Sequence, residues 1–93
     1  MEIDLRFFAT FREAVGQRDV THEYDDDATV GDVLEALEAK YGDLDGQLIE
    51  DGSVRPQLNV LKNGRNVVHM DDLETGLEDG DRISVFPPVA GGA

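Results

Sequence analysis

LEDGDRISVFPP, residues 77–88, is the stretch on which the fold turns. Ile83 and Val85 alternate with Arg82, Ser84 and Phe86, which is the period of a strand with one apolar face. Pro87 and Pro88 then stop it, because proline has no N–H to donate to a ladder. Near the other end of the sequence, Ile3, Leu5 and Phe7 face one way over residues 3–8, and Asp4, Arg6 and Phe8 the other. The first and last elements are thus both half-buried strands, and two such strands can lie side by side in the centre of one sheet.

The elements between them are shorter. Residues 18–24 alternate again, with Val20, His22 and Tyr24 on one side, and the triplet Asp25, Asp26, Asp27 ends this second strand. The linking segment from Ala9 to Val15, stopped by Gly16, is too brief for a helix stable on its own. It is expected as a turn or single helical turn that tucks Phe11 inward. A helix is predicted from about Val30 to Tyr41, with Val30, Val33, Leu34, Leu37 and Tyr41 on one stripe. Thr29 is its N-cap, Asp32 sits at the positive end of the dipole, and Gly42 is read as the stop. Glu35, Glu38 and Lys40 fall outside the stripe and are expected in solvent.

Asp43 to Pro56 reads as a polar connection with a brief apolar pair, Leu48 and Ile49. Leu58 to Lys62 is a strand, Asn63-Gly64 a two-residue hairpin signal, and Arg65 to Val68 the return strand. Asp71 to Gly80 is a further connection, with a helical turn presenting Leu73 and Leu77. A hairpin, a helix and three more strands make an α+β two-layer domain. The layout is that of a β-grasp (ubiquitin-like) fold: a mixed sheet of about five strands with one main helix packed on one face. Residues 1–86 form this domain, and residues 87–93 form an extended, flexible tail.

The 93 residues carry 21 Asp or Glu against 8 Lys or Arg, a formal charge of −13. Duplex DNA and anionic membranes would be repelled rather than steered in, so neither is a partner. The absence of cysteine excludes a disulfide framework, a Cys-ligated metal or iron–sulfur site and a thiol nucleophile. No secretory signal or membrane span is read, so the expected location is the cytoplasm, and the free chain is expected to be a monomer. His22 and His69 are far apart, and no metal site is expected. Asp25–Asp27 and Asp71–Asp72 lack the calcium-loop pattern and read as solvated turns.

The sequence ends FPPVAGGA, residues 86–93, with Pro87, Pro88 and Val89 leading to Gly91-Gly92. Small residues are common at flexible termini, but here two prolines project about six residues from a central strand, a reach of roughly 20 Å. Glycines without a Cβ let such a segment thread a narrow channel and leave the carbonyl open to attack. A tail of this kind suits chemistry done on its carboxylate in another protein's active site.

FFATFREAVG (7–16), NVLKNGRNV (59–67) and LEDGDRISVFPPVAGG (77–92) together resemble the MoaD/ThiS family of ubiquitin-like sulfur carriers, which includes the small subunit of molybdopterin synthase and the small archaeal modifier proteins. The resemblance spans nearly the whole chain. It implies that an E1-like enzyme uses ATP to adenylate the carboxylate of Gly92, with Gly91 beside it in the channel. The acyl-adenylate then becomes a thiocarboxylate that supplies sulfur for molybdopterin synthesis, or is joined to a substrate lysine as an isopeptide. The chain itself would be a carrier rather than an enzyme and would bind no cofactor, ATP being used by the activating enzyme. Its partners would be that enzyme, the molybdopterin-synthase large subunit and, for a modifier, the lysines of substrate proteins. A domain that shares the fold but is never activated is the remaining alternative.

Family members end in Gly-Gly, whereas here Ala93 follows Gly92. A natural Ala93 must be cleaved from Gly92, a task for a JAMM-type metalloprotease. An Ala93 foreign to the natural chain would block activation, and direct activation of Ala93 is the third option. Around the tail root, Arg6 and Phe8 share the outward phase of the first strand, as Ser84 and Phe86 do that of the last. If these strands are neighbours, Phe8 and Phe86 form an exposed patch that Leu61 or Val60 extends, a docking surface for the partners. The competing arrangement has the 9–16 segment covering Phe8.

Acid-rich surfaces with few lysines, here only Lys40 and Lys62, are those of proteins from salt-loving archaea. At molar salt the Debye length falls to about 3 Å and carboxylate repulsion is screened. The melting temperature is therefore expected to rise steadily with potassium chloride. A flat dependence in a calorimetric salt series would contradict the assignment of the charge to a saline solvent.

Overall fold

The computed structural model describes residues 1–88. Strand β1 (Glu2–Phe7) lies inside the sheet, paired antiparallel to β2 (Asp19–Glu23) and parallel to the last strand. The small hairpin β3 (Ile49–Glu50) and β4 (Ser53–Val54) stands apart from the main sheet. With β5 (Asn59–Lys62), β6 (Arg65–Asn66) and β7 (Arg82–Phe86), the five-stranded sheet has the order β2-β1-β7-β5-β6. The parallel register sets Leu5 beside Ile83 and Phe7 beside Val85. The expected neighbouring of first and last strands is therefore present.

Alternation sends Ile3, Leu5, Phe7, Val60, Ile83 and Val85 to one face, each no more than 1% exposed. Helix α2 (Val30–Lys40) lies over them with Val30, Val33, Leu34 and Leu37 equally buried. Each such side chain contributes about 1.5–3 kcal/mol on burial, which makes this seam the dominant favourable term. Thr29 caps α2 in a reciprocal box: Asp32 N–H donates to Thr29 Oγ1 at 3.3 Å, and Thr29 N–H donates to Asp32 Oδ2 at 3.0 Å.

Several local expectations are corrected. Helix α1 spans Ala9–Val15, longer than a single turn, because Phe11 docks into the core at 5% exposure and supplies what an isolated heptapeptide lacks. Gly42 does not stop α2. The helix ends at Lys40, Tyr41 is extended, and Gly42 opens a 3-10 turn to Leu44 that drives the Leu44 side chain fully into the core. Glu38 is not merely solvated, since its carboxylate accepts the N–H groups of Leu48 and Ile49 at 2.8 and 3.1 Å. Residues 43–56 contain the β3–β4 hairpin, whose turn residues Asp51 and Gly52 both have positive φ (52° and 77°), a type I′ signature. The return strand β6 stops at Asn66 because Val67 is buried and begins a 3-10 turn.

Polar contacts fix the chain that leads into β7. The Asp81 carboxylate accepts from Asn63 Nδ2 (2.8 Å) and Glu78 N–H (2.7 Å), with Lys62 Nζ 3.7 Å away. Burial pushes its pKa up, but these contacts outweigh it and hold the carboxyl below its usual range. The Asp81 cluster thereby ties the start of β7 to the Asn63-Gly64 turn. Earlier in the chain, the segment around Asp72–Glu74 closes on the start of α2, where Val30 N–H donates to Thr75 O at 2.9 Å.

Gly31 makes that closure possible: a Cβ there would lie 3.0 Å from both the Cβ and the carbonyl oxygen of Leu73. Alanine would gain about 1 kcal/mol in helix propensity yet force backbone apart at a cost of about 1–3 kcal/mol. Gly31→Ala is expected to lower the denaturant midpoint at fixed salt. An unchanged or raised midpoint would refute the close-packing account.

Candidate partner-docking surface at the root of the tail

The outer face of the sheet is built from the residues between the core positions. Parallel pairing sets Arg6 beside Ser84, and antiparallel pairing sets Leu61 on the other side of Ser84 and Asn59 beside Phe86. One step beyond Arg6 and Ser84 on this face come Phe8 and Phe86. Their rings stack at 4.1 Å between centroids with planes 7° apart, a pairing that adds about 0.5–1.5 kcal/mol beyond simple burial.

The sequence-predicted docking residues divide into three groups. Arg6, Phe8, Leu61 and Phe86 share the outer face; all four are partly buried, so the aromatic pair is less open than expected. Helix α1 does not bury Phe8 in the core, because Phe11 is the residue it turns inward. Val60 is corrected: it is 0% exposed and pairs with Val85 on the inner face, so Leu61 alone extends the patch. Alternation admits only one of two adjacent strand residues to a face. Pro87 is buried and Pro88 exposed. Val89, Gly91, Gly92 and Ala93 lie outside the described residues.

Ala9 is the turning point of this corner, with φ at 52° in the left-handed region. A non-glycine residue there costs about 1–2 kcal/mol. The unusual backbone leads the chain from β1 into α1 while Phe8 remains against Phe86. Sequence periodicity carries no signal for this conformation.

Asp19 was not among the sequence-predicted site residues. Its carboxylate accepts from Arg6 Nε at 2.7 Å and Arg18 Nε at 3.1 Å, and these two contacts, Arg6 first, hold it below the usual carboxylate range. Exposed pairs of this kind contribute little to stability. What they do is hold two guanidinium groups on one carboxylate at the β1–β2 pair, in a chain whose surface is otherwise dominated by carboxylates. Only strand pairing brings Arg6 and Asp19 together.

The other polar clusters have structural roles. His22 Nε2 lies 3.2 Å from the Tyr41 hydroxyl, and burial, then the Lys40 charge, lowers its pKa. Asp72 accepts from Ser53 Oγ and Val54 N–H at 2.9 and 3.0 Å, so it holds the β3–β4 hairpin rather than facing solvent freely. Asp26 pairs with the N-terminal amine at 3.2 Å. Among the described residues no group of three or more His, Asp or Glu side chains converges as a metal site would require, and no helix is long and apolar enough to cross a membrane.

A corner that offers stacked aromatics where the chain leaves the sheet at Pro87 can dock a partner, and among the described residues no acid–base pair stands beside it. Nearly the whole chain is similar to known proteins. Small archaeal modifier protein 3 of Haloferax volcanii is 67% identical over 92 residues, covering 99% of this chain and 100% of that one. The molybdopterin synthase sulfur carrier subunit of Chlamydomonas reinhardtii is 30% identical over 92 residues, with 99% and 100% covered. The crystal structure of small archaeal modifier protein 1 from Haloferax volcanii superposes with a TM-score of 0.83 at 35% identity, covering 99% of this chain and all of that one. The ThiS family model matches residues 5–92, and the chain belongs to this family of ubiquitin-like proteins.

Proposed function

We propose that this chain is an acyl carrier activated at Gly92. The observation that supports this reading best is the β1–β7 pairing, which puts the Phe8–Phe86 stack where the chain leaves the sheet toward Gly91 and Gly92. A partner that grips this corner has the tail directed from the same place.

The chemistry follows from the carboxylate. Its negative charge and poor leaving group make it inert to nucleophiles until an oxygen is converted to a better one. An E1-like enzyme supplies ATP, whose α-phosphate is attacked by the Gly92 carboxylate, releasing pyrophosphate and leaving an acyl-adenylate. A sulfur donor that displaces AMP gives a thiocarboxylate, which delivers sulfur to the molybdopterin precursor on the synthase large subunit. A lysine amine that displaces AMP gives an isopeptide, the modifier reading. The 67% identity to a small archaeal modifier favours keeping the second outcome beside the first. Both require that Ala93 be absent, and hydrolysis of the Gly92–Ala93 peptide bond by a JAMM-type metalloprotease would free the carboxylate.

Intact-mass and peptide mass spectrometry of the protein from its native cells separates these outcomes. A chain ending at Gly92 with one oxygen replaced by sulfur is expected for the carrier, and Gly-Gly remnants on lysines of other proteins for the modifier. A population ending only at Ala93 with neither product would overturn activation at Gly92.

The docking surface has its own test. Phe86→Asp places a charge in the aromatic stack while leaving the buried Ile83 and Val85 untouched. It is expected to abolish capture by the activating enzyme and by the synthase large subunit, with an unchanged circular dichroism spectrum. Capture at wild-type levels would move the interface elsewhere.

A further inference from the structure

We propose that the open edge of β2 is a strand-addition site for an extended segment of a partner protein in which lysine or arginine alternates with aliphatic residues. The hydrogen-bond phase of the sheet supplies the first observation. Asp4 N–H donates to Asp81 O on the β7 side of β1, whereas Phe7 N–H donates to Arg18 O on the β2 side. Odd-numbered residues of β1 therefore bond toward β2. The register pairs Ile3 with His22 and Leu5 with Val20, so His22 and Val20 turn their backbone groups inward. Those of Asp19, Thr21 and Glu23 point away from the sheet, and β2 is its terminal strand. A row of in-phase donors and acceptors is a template for one more strand.

The space beside this edge is the second observation. A cavity of about 690 Å³ lies beside it, with Asp4, Arg6, Asp19, Thr21 and Arg82 on the outer side and Val20, His22, Lys40 and Tyr41 on the inner. The Arg6 and Arg82 charges there are met by Asp4 and Asp19, and the uncompensated acid, Glu23, lies just beyond its lining. Val20 and Tyr41 are partly buried against the core, and the aliphatic stem of Lys40 extends an apolar wall. An added strand would send alternate side chains against that wall and the others past Asp19, Thr21 and Glu23.

Charge selects the occupant. Glu23 stands directly opposite Glu2 in the register, both are exposed, and among the described residues neither has a cationic partner. Directly opposed like charges are destabilising, and a lysine or arginine on the added strand would relieve them. A second copy is disfavoured on the same ground, since antiparallel pairing of two β2 strands about Thr21 would set Asp19 of each against Glu23 of the other. β1 separates this edge from β7, so a strand seated here does not cover Phe86.

The test is an NMR titration of the full chain with the capped peptide Lys-Val-Arg-Val-Lys-Val, against a control of the same composition with its cations contiguous. The alternating peptide is expected to shift the amides of Asp19, Thr21 and Glu23 and slow hydrogen exchange at Thr21 N–H. The control should bind at least about tenfold more weakly, because it makes the same backbone bonds but sets cations against the apolar wall and valines against Glu23. Thr21→Pro removes a donor that the sheet does not use and should weaken the alternating peptide by a similar factor. Glu23→Lys keeps the backbone and should transfer preference to the alternating Glu-Val peptide, which decides the matter if the proline variant fails to fold. Equal binding of both peptides, shifts spread over other acidic surface, an unchanged affinity in a folded Thr21→Pro variant, or an unaltered preference in Glu23→Lys would each overturn the proposal.

Discussion

Everything in this domain depends on the parallel pairing of its first and last strands. Leu5 beside Ile83 and Phe7 beside Val85 form the centre of the buried sheet face on which α2 packs. The same pairing, read on the opposite face, aligns Arg6 with Ser84 and brings Phe8 onto Phe86. Core and docking surface are thus two sides of one register. A slip of one residue in β7 would turn Ile83 and Val85 out of the core and dismantle the aromatic corner at once.

Parallel strands close a long loop, and the intervening chain is held by a few directional contacts. Asp81 fastens the start of β7 to the Asn63 turn, Thr75 receives the first amide of α2, and Glu38 accepts two amides of the approach to β3. Each satisfies polar groups that burial would otherwise leave unpaired. Their positions along the chain are far apart, so the core brings them together before they can contribute.

The net charge of −13 has a geometry that composition alone does not reveal. Arg6 and Arg18 share the Asp19 carboxylate at one end of the β1–β2 hairpin, whereas Glu2 and Glu23 face each other at the opposite end. At one end of the hairpin the carboxylate is compensated, and at the other two carboxylates are not. For a carrier that meets other proteins in a saline solvent, short-range contacts of this kind survive screening better than long-range attraction.

The sequence by itself determined the strand alternations, the capped amphipathic helix, the Asn63-Gly64 hairpin and the side-by-side placement of the terminal strands. These rest on periodicity and on local backbone preferences, which need no knowledge of distant residues. It also carried Arg6, Phe8, Leu61 and Phe86 as members of one outer face. It left Val60 beside Leu61 as an equal choice until the β5–β7 register put Val60 inside. The Asp51-Gly52 turn was written in the chain but masked by its polar surroundings. The role of Glu38, the second turn of α1, the extension through Gly42 and the Asp19 clamp were decided by tertiary structure alone. Each depends on a buried side chain or a partner strand arriving from elsewhere, and the energy of that arrival outweighs the local preference of the residues that respond to it.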